Sequence, residues 1–294
     1  MERSFTEIVS GQSFTEAPRW HEGRLWFSDF YTLLVQSVRE DGSDLRLEAE
    51  VPGQPSGLGW LPDGRLLIVS QHDHLVLRRE PDGTLVTHAD LSSLVTAHLN
   101  DMVVDAEGRA FVGNFGFDLM GGDAVTSSSL IRVDPDGTVT PVADELWFPN
   151  GMAITADGRL LVNETFGNRV TSFAIAADGS LTDRRTWASF GPEPVEAPLE
   201  TALAGLVIAP DGCAIDDEGH LWIADAIGGR VVRVREGGEI VEEITATTGV
   251  FACALGGADG HTLFLNAAPD FLESNRRPVR EATILATQVD ATAP

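Results

Sequence analysis

Four polar side chains, Glu16, Asn100, Asn150 and Asp211, recur at one place in a repeated pattern. Asn100, Asn150 and Asp211 each stand eight residues before the glycine of an acidic-Gly pair (Gly108, Gly158, Gly219), and Glu16 stands seven before Gly23. The same count of eight reaches Ser56 before Gly64 and Ala252 before Gly260. Brought together, two carboxylates and two amide oxygens would repel one another in a partly buried place. A hard divalent cation relieves that repulsion, and an all-oxygen set suits Ca²⁺, Mg²⁺ or Mn²⁺ better than Cu or Zn. The competing reading is that Asn and Asp cap tight turns through side-chain to backbone bonds. Four such residues in register favour the cation.

The elements that must position them are six similar units. They read "FTEAPRWHEGRLWFSD", "QPSGLGWLPDGRLLIVS", "LNDMVVDAEGRAFVGN", "FPNGMAITADGRLLVNE", "PDGCAIDDEGHLWIAD" and "FACALGGADGHTLFLN". Each joins two apolar runs through an acidic-Gly turn, a hairpin signal because Gly accepts the positive φ such turns need. The turn glycines are 41, 44, 50, 61 and 41 residues apart, the period of a four-stranded blade with variable loops. Six such units predict an all-β six-bladed propeller of four-stranded blades occupying 1–294 as a single domain. The last unit supplies three strands, so the segment "SFTEIVSG" is expected to complete its blade and close the ring. "ADLSSLVTAHL" is the best helix candidate. The long gaps at 115–129 and 185–209 should form loops over the channel mouth. Their Gly/Pro-rich, apolar content, with Phe115, Phe117 and Phe166 as candidates to face it, points to a lactone or ester with an apolar part.

Composition narrows the function. A net charge of −25 argues against nucleic acid and anionic membrane as partners, and reads as solubility or a salty habitat. All 20 basic residues are Arg, which removes lysine Schiff-base chemistry and the P-loop lysine. Two cysteines, Cys213 and Cys253, are too few for a disulfide framework or a thiolate zinc site and are expected as buried free thiols. With no apolar run of membrane length and no signal-like start, a cytoplasmic protein is expected. There is no Gly-X-Ser-X-Gly elbow. His72 and His74 alternate as if on one strand face, but without a third zinc ligand; His98 is a candidate hydrogen-bond partner for substrate.

Several of these stretches, "EAPRW", "LNDMVVDAEGRAFVGN", "FPNGMAITADGRLLVNETFGNRV" and "PDGCAIDDEGHLWIAD", resemble the SMP-30/gluconolactonase family, which includes regucalcin. The resemblance runs from about residue 10 to 290. It implies a six-bladed propeller with one divalent metal at the channel mouth, Ca²⁺ first, with Mg²⁺, Mn²⁺ or Zn²⁺ as alternatives. It places the metal ligands on Glu16, Asn150 and Asp211, and substrate contacts on Asn100 and Asp101. His98 stands where regucalcin has an Arg, and Asp123 is the nearest equivalent of a regucalcin substrate glutamate. The implied reaction is hydrolysis of a lactone, sugar lactones included, with the metal polarising the carbonyl and Asp211 taking a proton from water. A nucleophilic Asp211 stays open. So do a phosphotriesterase on the same site and a non-catalytic binding propeller with a structural metal. The expected partner is a small molecule, and the oligomeric state is open.

Overall fold

The computed structural model describes residues 3–294. Six four-stranded antiparallel sheets follow one another along the chain. Their inner strands are Thr15–His21, Pro55–Trp60, Leu99–Val104, Pro149–Ile154, Pro210–Ile215 and Gly249–Gly256, which begin blades one to six. The expected closing strand is present. Thr6–Gln12 pairs antiparallel with Ala282–Gln288 and forms the outer strand of blade six. The six turn glycines all adopt positive φ, between 73° and 85°.

Closure of the ring is visible in the core. One hydrophobic cluster fills each boundary between neighbouring blades, including blade six against blade one. That last cluster joins Ile8, Phe264 and Ile284 to Leu25, Phe27 and Val38. An open stack of six blades would have five such boundaries; the sixth makes this a ring. Because every blade is covered on both faces, its strands read as continuous apolar runs rather than strict alternation.

Two features depart from the sequence expectations. The segment 89–99 forms no helix. Beyond the outer strand Leu85–Asp90 it crosses to the next inner strand through turns, burying Leu91 and Val95 on the way. The α-helical segments are short ones, Leu199–Ala204 and Glu273–Arg276, and both lie in mouth loops. His72 and His74 occupy a turn, with His74 at φ 56°, so they share no strand face.

Candidate active site

The inner strands bulge where the polar residues sit. In each blade the inner strand's pairing with the second strand shifts near its leading end, for example between Pro149 and Met152 or between Pro210 and Cys213. Such bulges re-aim side chains. Counting from the pair at the end of the second strand (Thr15 with Asp29, Leu99 with Asn114, Pro149 with Glu164, Pro210 with Asp225), the next residues are Glu16, Asn100, Asn150 and Asp211; Glu16 still pairs with Ser28, and the shift there follows it. In blade six the pair is Val250 with Ala267, so the equivalent residue is Phe251, not Ala252. The count from the turn glycine missed by one because the inner arm of that hairpin is one residue longer. Ala252 is fully buried, whereas Phe251 faces the cleft.

Glycine follows Asn150 and Asp211 for a packing reason. A Cβ on Gly151 would lie 2.5 Å from the Asp211 carbonyl oxygen, and one on Gly212 would lie 2.4 Å from the Ala252 Cβ. Inner strands crowd together around the axis, and only Gly lets the backbones approach.

Glu16, Asn100, Asn150 and Asp211 all line one cleft at the mouth of the channel. Hydrogen bonds between blades hold them. Asn163 Nδ2 donates to the Asp211 carbonyl, and Thr165 Oγ1 donates to the Pro210 carbonyl at 2.8 Å. A hydroxyl has one proton, so Thr165 can only accept from Asn150 Nδ2, at 3.0 Å. That bond settles the amide orientation and leaves Asn150 Oδ1 free. Asn150 therefore caps no turn.

The carboxylates are left short of partners. Burial, with Asp211 and Asp101 nearby, pushes the Glu16 carboxyl well above its ordinary range, and its one hydrogen bond comes from Ala17 N at 3.3 Å. Burial, and then Asp101, likewise raises Asp211, against some relief from Asn150 and the Gly212 N–H. Among the described residues no Arg lines the cleft. Two uncompensated carboxylates beside a fixed amide oxygen suit a hard divalent cation. Among the described residues no three His, Cys, Asp or Glu side chains come together as a ready-made metal cluster; the candidate set depends on its amide oxygens.

The other expected contacts divide. His98 lines the cleft, stacked on His72 at 4.2 Å between ring centroids and edge-on to Phe115. Burial lowers the affinity of both imidazoles for protons. Asp101 does not line the cleft: Arg19, from blade one, holds it at 2.6 Å and also donates to the Met102 carbonyl. Asp123 is exposed and also absent from the walls. Phe115 and Phe166 face the cleft, while Phe117 is buried behind them against Phe148 and Phe166. The two long loops do cover the mouth, supplying Leu119, Met120, Leu203 and Leu206, and they are joined by a bond from Val125 N to the Ala197 carbonyl at 2.8 Å.

Sequence reasoning overlooked a set of clamps. At the end of the second strand stand Asp29, Glu164 and Asp225 in the three blades that carry Glu16, Asn150 and Asp211. Each carboxylate accepts a backbone N–H from the segment leading into the inner strand: Asp29 from Ser13 and Phe14, Glu164 from Trp147, Asp225 from Ala209. The matching residues in the remaining blades are Ser70, Asn114 and Ala267. The signal was available in the closing letters of "FSD", "VNE" and "IAD".

The pattern that defines the SMP-30/gluconolactonase/LRE-like region matches residues 14–269 of this chain. The chain belongs to that family. It is 32% identical over 260 residues to the pentonolactonase XacC of Haloferax volcanii, covering 86% of this chain and 81% of that protein. It is 28% identical over 231 residues to the lactonase drp35 of Staphylococcus epidermidis, covering 76% and 66%. Among solved structures, a calcium-binding regucalcin of Agrobacterium tumefaciens superimposes with a TM-score of 0.79 at 18% identity, covering all of this chain and 96% of the other, which establishes the shared fold. Membership supports lactone hydrolysis as the class of reaction and a small lactone as the class of substrate. Among the described residues no helix is long and apolar enough to cross a membrane, and both cysteines are free and buried.

Proposed function

We propose that this protein is a metal-dependent lactonase whose divalent ion, Ca²⁺ in the first instance, is held by Glu16, Asn150 and Asp211, with Asn100 beside them. The observation that carries the reading is two buried carboxylates with no ion pair of their own among the described residues, the nearby Arg19 being held by Asp101, next to an amide oxygen fixed by Thr165. A cation bound there supplies Lewis acidity toward a lactone carbonyl and offsets the carboxylate charge.

The chain's own groups do the rest. The cleft admits the lactone with its carbonyl toward the oxygen cluster and sheds water from the apolar walls around it. Asn100 Nδ2, whose bond to the Pro149 carbonyl is long at 3.5 Å, is available to donate to the substrate. Asp211 is the base that takes a proton from the attacking water, and returning it to the ring oxygen releases the hydroxy acid. His98, uncharged at neutral pH, borders the substrate without adding charge.

The test is proton release from sugar, aliphatic and aryl lactones, with chelator and then with divalent ions restored. Turnover that disappears with chelator and returns with one ion supports the proposal; full turnover of the chelated protein refutes metal dependence. A phosphotriester in the same panel separates the rival hydrolase.

A further inference from the structure

The oxygen cluster is only the floor of the cleft. On one side Phe14, Phe30, Tyr31, Phe251 and Phe271 form a wall, with Phe14 against Phe251 at 4.9 Å and against Phe30 at 5.4 Å. Facing it are Phe115, Phe148 and Phe166, with Phe115 and Phe148 at 4.3 Å. At the rim Met120, Leu203 and Ile227 are 43%, 40% and 50% exposed while lining the same cleft. Apolar surface left in water at a cleft mouth marks a place that a ligand covers.

Many of the polar groups in these walls are already occupied, Asn100 and the His72 and His98 rings being the main exceptions among the described residues. The Tyr31 hydroxyl donates to the Phe271 carbonyl at 2.6 Å, Thr165 serves Pro210 and Asn150, and Gln54 Nε2 donates to Gln71 Oε1 at 2.6 Å. Among the described residues, Gln71 Nε2 is the one fully buried side-chain atom of the walls without a partner. A sugar lactone would bring several hydroxyls between two aromatic walls, where Asn100, Gln71 Nε2 and the two imidazoles are the few groups left to receive them. Each hydroxyl buried unpaired costs on the order of 10-fold in binding or more. Charge selects as well: among the described residues no Arg lines the walls, Glu273 stands at the rim, and Arg277 just beyond it is paired with Glu273. An anionic substituent would find little counter-charge in those walls.

We propose that the cleft selects uncharged lactones bearing an aryl or alkyl substituent, and discriminates against polyhydroxylated and anionic ones. This rests on the lactone-opening reading above. The lactone carbonyl lies toward Asn100, Asn150 and Asp211, an aryl group lies between the two aromatic walls, and a longer alkyl chain reaches Met120 and Ile227.

The test compares kcat/KM of the metal-loaded full chain for δ-valerolactone, dihydrocoumarin, δ-decalactone, glucono-δ-lactone and a phosphorylated gluconolactone. It also measures calorimetric binding of two uncleavable lactams, dihydroquinolinone and gluconolactam. Dihydrocoumarin and δ-decalactone should exceed glucono-δ-lactone by about 100-fold or more, since even one buried methylene is worth roughly 10-fold. Dihydroquinolinone should bind and gluconolactam should not. Phe251→Ala should erase most of the dihydrocoumarin advantage. The exposed changes Met120→Ser and Ile227→Ser, which threaten no core packing, should lower kcat/KM for δ-decalactone several-fold and leave dihydrocoumarin nearly untouched. Turnover that favours glucono-δ-lactone overturns the specificity while keeping the reaction. Selective lactam binding without turnover of any lactone keeps the specificity and overturns the reaction. Binding of neither lactam, with no turnover, removes both.

Discussion

Asp211 and Asp216 lie at opposite ends of one inner strand, both withdrawn from water, and they are treated in opposite ways. Asp216, at the hairpin end, accepts from the backbone N–H groups of Glu218 and His220, from Trp222 Nε1 at 3.2 Å and from Arg233 Nε at 2.8 Å. Asp105, in blade three, is similarly served by Glu107 N, Arg109 N and Arg109 Nε. Asp211, at the mouth, faces no cation and has Asp101 and Glu16 as neighbours. A buried carboxylate with a full set of donors is part of the structure; one kept short of donors is reserved for a ligand. The fold therefore resembles a scaffold that is satisfied at one end and deliberately incomplete at the other.

The sharpest way to break this comparison is to neutralise each end. With metal present, Asp211→Asn should cut lactone turnover by roughly 10²- to 10⁴-fold, the range for a lost general base. Without metal the same change should raise stability in a thermal melt, because it removes one of two repelling acids. The sign follows from the raised carboxyls: the folded state holds its protons to higher pH than the unfolded chain. Metal-free wild type therefore has its relative stability at acid pH and loses it as pH rises through the raised values, and the variant's advantage grows in that direction. A metal-free variant that melts below wild type at alkaline pH would contradict the repulsion.

At the other end, Asp216→Ala should destabilise the fold by about 1–3 kcal/mol or more, since it leaves three donors without their acceptor and Arg233 with Glu218 alone as its carboxylate partner. Turnover per folded molecule should stay near wild type. Denaturant unfolding alongside activity separates the two effects.

The clamps sharpen the comparison further. Asp29→Asn places an amide N–H against at least one of the donors from Ser13 and Phe14, loosening the segment that aims Glu16. Metal affinity, read by titration of the chelated protein, should fall about 10- to 100-fold, as for outer-shell partners of metal ligands elsewhere. Unchanged affinity would reduce Asp29 to a fold residue. The smallest expected effect is that of Thr165→Val, which frees the Asn150 amide to turn and should weaken metal binding by about 10-fold with little change in melting temperature.

Much of the architecture was legible because it is written locally. An acidic-Gly pair between two apolar runs is a hairpin wherever it occurs, and six of them at blade spacing leave few alternatives to a propeller. The clamps at Asp29, Glu164 and Asp225 were equally visible as letters, but nothing local says that a carboxylate at one strand's end receives N–H groups some 15 residues upstream.

The sequence by itself determined the repeat, the hairpins, the closing strand and the four polar residues at the leading ends of the inner strands. Tertiary structure alone decided that Phe251 rather than Ala252 faces the cleft, because register is set by hydrogen bonds across strands and one extra residue in the inner arm of the hairpin shifts the count. It decided that Asp101 is bound to Arg19, 82 positions earlier, instead of facing the cleft. It also built the aromatic walls from loops of different blades, each phenylalanine in its own segment being indistinguishable from a core residue. Closing the ring is what places these distant residues around one axis, and a one-dimensional pattern carries no record of which side of that axis a side chain will meet.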